Sequence, residues 1–231
     1  MENGSHFAHN DLRAFQATAD GSHTLFSSRF QETYHSRHGA RTESEHVFIR
    51  HGLDETFQIF EGPIRIFEVG VGTGLNAYLA AIRANEVGRE VWYNGFEEFP
   101  LNESQRASWL AFEWDQPEVA RQIGLTPAGQ SVSIGAYFHF SWQCANWPGQ
   151  SPDHECAEVI FYDAFAPGSQ PELWTAKCFQ KAFNLLAPGG ILVTYCAKGE
   201  VKRNMKEVGF EVQRLQGPPG KREMTRAIKP R

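Results

Sequence analysis

The sequence predicts an α/β fold: a mostly parallel sheet of seven strands with helices on both faces, a C-terminal antiparallel hairpin and a small N-terminal extension. Three observations predict it. From residue 64 onward, short apolar runs alternate with segments of helical period. Two of the runs, residues 157–162 and 191–196, are apolar almost throughout, as strands covered on both faces are. The first run ends in three closely spaced glycines, Gly70, Gly72 and Gly74, just ahead of a helical segment.

The elements follow in order. Residues 1–62 form the extension, a hairpin turning at Asp20-Gly21-Ser22 and a helix from Thr42 to about His51, and the main domain occupies residues 63–231. The first eight residues are expected to be disordered. Residues 64–69 read as a strand, and 73–87 as a helix with Leu75, Leu79 and Ile82 on one stripe. A second strand covers 91–96, Pro100 closes its loop, and Asn102 starts a helix to about Phe112. Residues 129–147 suggest strand without a clean boundary. After the strand at 157–162, a helix from Pro171 to Leu186 stops at Pro188-Gly189-Gly190, and a buried strand follows at 191–196. A polar helix at 198–208, a strand at 210–215, the turn Gly217-Pro218-Pro219-Gly220 and a last strand at 223–228 complete the chain.

Composition limits the function classes. With 231 residues, 41% of them apolar and 13% aromatic, the chain suits one medium domain with a sizeable core. No run approaches the roughly 20 apolar residues of a membrane span, and the polar start lacks a signal core, so a cytoplasmic protein is expected. Cys144, Cys156, Cys178 and Cys196 have no CxxC spacing and read as reduced thiols. The net charge of -5 hides an asymmetry: residues 198–231 carry ten Lys/Arg against four Glu, +6 on a body of -11. Such a segment is either a phosphate footprint or a solvated surface.

Glu68-Val69-Gly70-Val71-Gly72-Thr73-Gly74-Leu75-Asn76 carries the strongest chemical signal. Glycines here let the chain turn sharply between strand and helix and let a bulky ligand approach the main chain. The GxGxG spacing departs from the dinucleotide GxGxxG by one residue and matches an S-adenosyl-L-methionine loop better. Cofactor-binding candidates are therefore Glu68, Gly70, Gly72, Gly74 and Asn76 in a Rossmann-like core. Glu97, at the end of the second strand, stands where a carboxylate accepts from ribose hydroxyls; Glu98 is the less favoured neighbour. Asp163 ends a central strand beside the cofactor, in Asp163-Ala164-Phe165-Ala166-Pro167, and is both a catalytic and a cofactor-binding candidate. Phe165 would wall the substrate pocket or lie under a flat base, Pro167 would limit the loop's freedom, both as substrate-binding candidates, and Tyr34 and Tyr195 are further lining candidates.

These segments, with Phe96-Glu97-Glu98-Phe99-Pro100, Trp174, Pro188-Gly189-Gly190 and Lys221-Arg222-Glu223-Met224, resemble the tRNA (5-aminomethyl-2-thiouridine) methyltransferases. The likeness covers about residues 15–228 and is to the stand-alone MnmD type, equivalent to the methyltransferase half of MnmC. It implies a class I methyltransferase that uses S-adenosyl-L-methionine to methylate the exocyclic amine of 5-aminomethyl(-2-thio)uridine at the tRNA wobble position. It also implies the tRNA anticodon region as partner and no flavin domain here, so another enzyme supplies the amine. No obligate protein partner and no membrane are indicated. One departure is that the relatives' acidic residue near the adenine is missing, which leaves Gln143 or Asn146 for that edge.

Chemistry assigns the remaining candidates. A primary alkylamine is protonated at neutral pH, so a site must take its proton, and Asp163 is the natural acceptor. Lys221, Arg222 and Arg226 are expected to meet phosphates flanking the target. Neither the histidines His35, His38, His46 and His51 nor Asp153-His154-Glu155-Cys156 has the spacing of a settled metal site, and this chemistry needs none. Rival readings are an aminopropyltransferase or small-molecule amine methyltransferase on the same core, and a noncatalytic RNA-binding module.

Overall fold

The computed structural model describes residues 11, 13–149 and 157–231. The expectations for residues 1–8, for Cys156 and for the 153–156 cluster lie outside the described residues. Strands β1 (Arg13–Ala17) and β2 (His23–Ser27) pair antiparallel around the expected turn, and β3 (Glu32–Thr33) joins them in a small sheet. A helical segment follows: α1 (Ala40–Ser44), a π-helical stretch over Glu45–Asp54, and α2 (Glu55–Ile59). It runs past the expected end near His51 because Val47, Phe48 and Leu53 keep an apolar face against the main sheet.

The chain continues with β4 (Ile64–Val69), α3 (Leu75–Val87), β5 (Val91–Glu97), α4 (Glu103–Leu110) and α5 (Pro117–Leu125). Asn102 starts α4 with a reciprocal cap: its side chain accepts from the Gln105 N–H, and the Gln105 side chain accepts from the Asn102 N–H, both at 2.9 Å. Then come β6 (Ser131–Ile134), β7 (Phe138–Cys144), β8 (Ala157–Tyr162), a 3₁₀ turn at Pro171–Trp174, α6 (Ala176–Leu185) and β9 (Leu186–Thr194). Helix α7 (Gly199–Glu207) and the hairpin β10 (Glu211–Gln216) and β11 (Glu223–Ile228) end the fold.

The large sheet has eight strands in the order β10-β11-β9-β8-β4-β5-β7-β6, one more than expected. The turn at Gly135 splits the ambiguous 129–147 region, and the resulting β6 lies antiparallel on the sheet edge beside β7. The expected helix at 171–186 is also divided. Thr175 is extended and accepts from the Cys178 N–H at 3.4 Å, which starts a fresh helix at Ala176. Strand β9 then begins at Leu186, with a register shift against β8 between Ala157 and Val159.

Two apolar layers sandwich the sheet. Adjacent residues of β8 serve opposite faces: Phe161 packs with Phe48 of the helical segment and Tyr93, while Tyr162 packs with Trp174 and Phe179. Burying each such side chain contributes about 1.5–3 kcal/mol, so both layers are needed to hold β8 at the centre. The strand order reverses at β4: β5 lies on one side and β8 on the other, both parallel to it. The loops after β4 and β8 therefore flank a crevice at the C-terminal ends of the strands, where open α/β sheets take ligands. No helix among the described residues is long and apolar enough to cross a membrane.

Candidate active site

The crevice is a real cavity, walled by the loops after β4, β5 and β8 and by residues of the N-terminal extension. Backbone bonds tie its floor together: the Asp163 N–H donates to the Val69 carbonyl and the Gly70 N–H to the Phe96 carbonyl, each at 2.9 Å. Gly70 has φ +90°, and a Cβ there would meet the Asp163 carbonyl oxygen at 2.5 Å. Gly72 has φ +55°, and a Cβ there would stand 2.9 Å from the Tyr34 ring. Gly74 caps α3 and borders an adjoining smaller cavity with Arg106, Trp109 and Trp142.

Asp163 sits on the cavity wall, half-buried. Its Oδ2 accepts from Asn76 Nδ2 at 2.8 Å, and the same amide nitrogen donates to Glu68 Oε1 at 2.8 Å. One amide thus joins two carboxyl groups below the cavity. Burial, reinforced by the nearby Glu43 carboxylate, pushes Asp163 up to about 8 against the opposing Asn76 bond and Lys221 charge. Burial likewise raises Glu68 to about 8. Glu68 and Asn76, expected on the ligand itself, are fully buried beneath the wall and do not line it.

Glu97 lies on the wall, where its carboxylate accepts from the Gly72 N–H at 2.9 Å and the Phe99 N–H at 2.8 Å. Burial raises its pKa, and the two backbone bonds oppose the rise. Glu98 lines the cavity as well, since β5 ends at Glu97 and strand alternation no longer applies beyond it. Neither Gln143 nor Asn146 reaches this wall; Ala145 and Trp147 line it instead. Gln143 and Asn146 are exposed, whereas Ala145 and Trp147 are buried toward the cavity.

Phe165 forms the outer wall, stacked on Phe30 at 4.2 Å and edge-on to Tyr34 at 4.9 Å. Its loop is pinned at two points: the Ala166 N–H donates to Glu32 Oε2 at 3.0 Å, and the Trp174 indole N–H donates to the Phe165 carbonyl at 2.8 Å. Pro167 lies past the wall, in the turn that follows.

The basic residues divide three ways. Lys221 turns inward: its ammonium donates to Glu43 and stands 4.0 Å over the Tyr195 ring. Arg222 is exposed. Arg226 is not on the expected surface, because β11 carries it to the sheet face under α2, where it pairs with Glu55 at 3.2 Å and donates to Gln213 at 2.9 Å.

Sequence reasoning missed Glu43, Glu32 and Phe30, and it considered His35 only as a metal ligand. His35 is buried on the wall, with Nε2 3.0 Å from the Thr73 hydroxyl; burial and then the Lys221 charge lower its pKa to about 4. His46 and His51 contact each other on the helical segment and line no part of the cavity.

A family model for S-adenosyl-L-methionine-dependent methyltransferases matches residues 147–230. The bifunctional protein MnmC of tRNA 5-methylaminomethyl-2-thiouridine biosynthesis from Chromobacterium violaceum is 30% identical over 213 residues, 86% of this chain and 32% of that protein. Its counterpart from Ralstonia nicotianae is 31% identical over 227 residues, 93% of this chain and 34% of that protein. The chain spans about a third of the length of these relatives. Among solved structures, MNMC2 from Aquifex aeolicus aligns with a TM-score of 0.81 at 26% identity, over 95% of this chain and 71% of that one. Spermidine synthase from Thermotoga maritima aligns with a TM-score of 0.59 at 12% identity, over 94% of this chain and 68% of that one, a likeness of fold alone. Over residues 147–230 the chain resembles the S-adenosyl-L-methionine-dependent methyltransferases, and over most of its length it resembles a third of the MnmC proteins.

Proposed function

We propose that this enzyme transfers a methyl group to the exocyclic amine of 5-aminomethyl(-2-thio)uridine at the tRNA wobble position, giving 5-methylaminomethyl(-2-thio)uridine. The carrying observation is the placement of Asp163: a half-buried carboxyl between the glycine loop and an aromatic wall, with Oδ2 held by Asn76 and Oδ1 left for a ligand. The names of the MnmC relatives support the choice of tRNA.

The residues present fit S-adenosyl-L-methionine. A side chain at Gly72 would fill the cradle, Glu97 keeps lone pairs for hydroxyl donors beyond its two backbone bonds, and Phe96, Ala145 and Trp147 offer an apolar slot. When bound, that group supplies an electrophilic methyl on a sulfonium centre. The chain's own work is to present the amine with its lone pair free. The amine arrives as an ammonium ion, whose charge lets the otherwise proton-retaining Asp163 ionise by releasing its proton to solvent. Asp163 Oδ1 then takes one ammonium proton. Burial raises Asp163 above the usual carboxylate range, which makes it a better proton acceptor than an exposed carboxylate. The Phe165–Phe30 stack is a flat apolar surface suited to a pyrimidine.

On this reading residues 1–62 complete the cavity of the domain at 63–231 through Tyr34, His35 and Glu43. The anticodon region docks where Arg222 is exposed, and the reaction is cytoplasmic, in keeping with the free thiols of Cys144, Cys178 and Cys196. Mass spectrometry of nucleosides after incubation with undermodified tRNA tests the reading. A single added methyl on the aminomethyl nucleoside is expected; methylation of free small amines but never of tRNA would overturn it.

A further inference from the structure

We propose that Glu43, the face of Tyr195 and Asp163 form a subsite for an aliphatic ammonium ion, occupied here by the chain's own Lys221, which the substrate's amine displaces. The inference rests on the amine substrate proposed above. Glu43 is only 6% exposed, and its Oε2 is committed to the Ser36 N–H at 2.8 Å. Its Oε1 faces the cavity and takes the Lys221 ammonium. The Tyr195 ring, 4.0 Å below that ammonium, is fixed by its hydroxyl donating to the Ala164 carbonyl at 2.8 Å. A carboxylate beside an aromatic face is the chemistry that recognises an alkylammonium.

Charge on the wall points the same way. Among the described lining residues, Lys221 is the one Lys or Arg, set against Glu32, Glu43, Glu97, Glu98 and Asp163. An incoming amine is therefore drawn in as a cation, and Glu43 cannot serve two ammonium groups as well as it serves one. Lys221 is free to leave: it follows the Gly217-Pro218-Pro219-Gly220 turn, and its side chain is 31% exposed. A buried carboxylate needs a cation, so its departure is favourable only when the substrate's ammonium replaces it. Lys221 thereby excludes ligands that carry no amine.

Removing the lysine's ammonium should leave a gap that a small ammonium ion fills. Thermal melts of wild type, Lys221→Ala and Lys221→Ala/Glu43→Gln would be compared in methylammonium chloride and in potassium chloride of equal ionic strength. Saturating methylammonium should raise the melting temperature of Lys221→Ala by about 2–5 °C above the potassium control, and should leave wild type and the double variant unmoved. Lys221→Gln, which keeps most of the side-chain volume without the charge, gives the same readout if Lys221→Ala does not fold. Equal shifts in wild type and single variant, or a shift that survives Glu43→Gln, would overturn the subsite. Rescue by methylammonium in an enzyme that never methylates tRNA would sink the tRNA reading alone. Absence of rescue in an enzyme that does methylate tRNA would sink the subsite alone.

Discussion

Asn76 shows how one side chain can divide labour between two acids. Its amide nitrogen holds Glu68 Oε1 and Asp163 Oδ2, yet only Asp163 reaches the cavity wall. Under the proposed mechanism, Asp163→Ala should keep S-adenosyl-L-methionine affinity within a few-fold but lose methyl transfer by at least about a hundredfold. Single-turnover assays at saturating tRNA decide, and near-normal turnover would make the carboxyl structural. Gly72→Asp should abolish cofactor binding in a folded protein, because φ +55° and the Tyr34 ring at 2.9 Å leave no room for a side chain. Calorimetry showing unchanged affinity would remove the loop from the site. Gly70, Gly72, Glu97 and Asp163 were legible because each stands at the end of a strand, where topology alone puts it near the crevice. Glu43 and His35 were not, since they come from a separate part of the chain and share no spacing with the glycine loop.

At the scale of elements, the strands read best. The expected bounds of β4, β8 and β11 match the structure because each is a continuous or alternating apolar run ended by a polar or glycine-rich turn. Helix α5 went unread: Glu118, Arg121 and Gln122 face solvent, and only Ala120 and Ile123 are buried, too few to mark a period. The split of the helix at 171–186 has a functional side. It turns Trp174 toward the loop after β8, where its indole holds the Phe165 carbonyl. Trp174→Phe keeps most of the packing and deletes that one bond, so stability should fall by about 1 kcal/mol. With the loop less firmly held, turnover should drop more than cofactor affinity. A variant that loses both in equal measure would show that Trp174 supports the whole cavity and not the loop in particular.

Across the whole molecule, the site is built from acids that fold in their protonated form, and this has a cost in stability. Asp163 and Glu68 titrate near 8 in the fold, against 3.8 and 4.5 as free side chains. Such groups bind protons more tightly when folded, so their stabilisation is complete below about pH 4 and is lost as pH rises towards 8. His35 works in the opposite sense, being held neutral with a pKa near 4 against an ordinary 6.5, so its contribution grows over that lower range and is complete above it. Asp20, whose pKa is lowered by bonds from Ser22, Thr18 and Thr42, matters only on the acid side of its ordinary 3.8. Between about pH 6.5 and 8, His35 and Asp20 no longer contribute, which leaves the raised carboxyls, each able to change stability by at most about 1.4 kcal/mol per pH unit. Asp163→Asn keeps an acceptor for Asn76 and removes one of the two titrations. Its urea midpoint should fall less steeply than that of wild type between pH 6.5 and 8, and it should be the more stable protein at pH 8 while inactive in methyl transfer. Parallel stability curves for the two proteins would show that Asp163 is already ionised at neutral pH, so that no proton has to leave it before the amine binds.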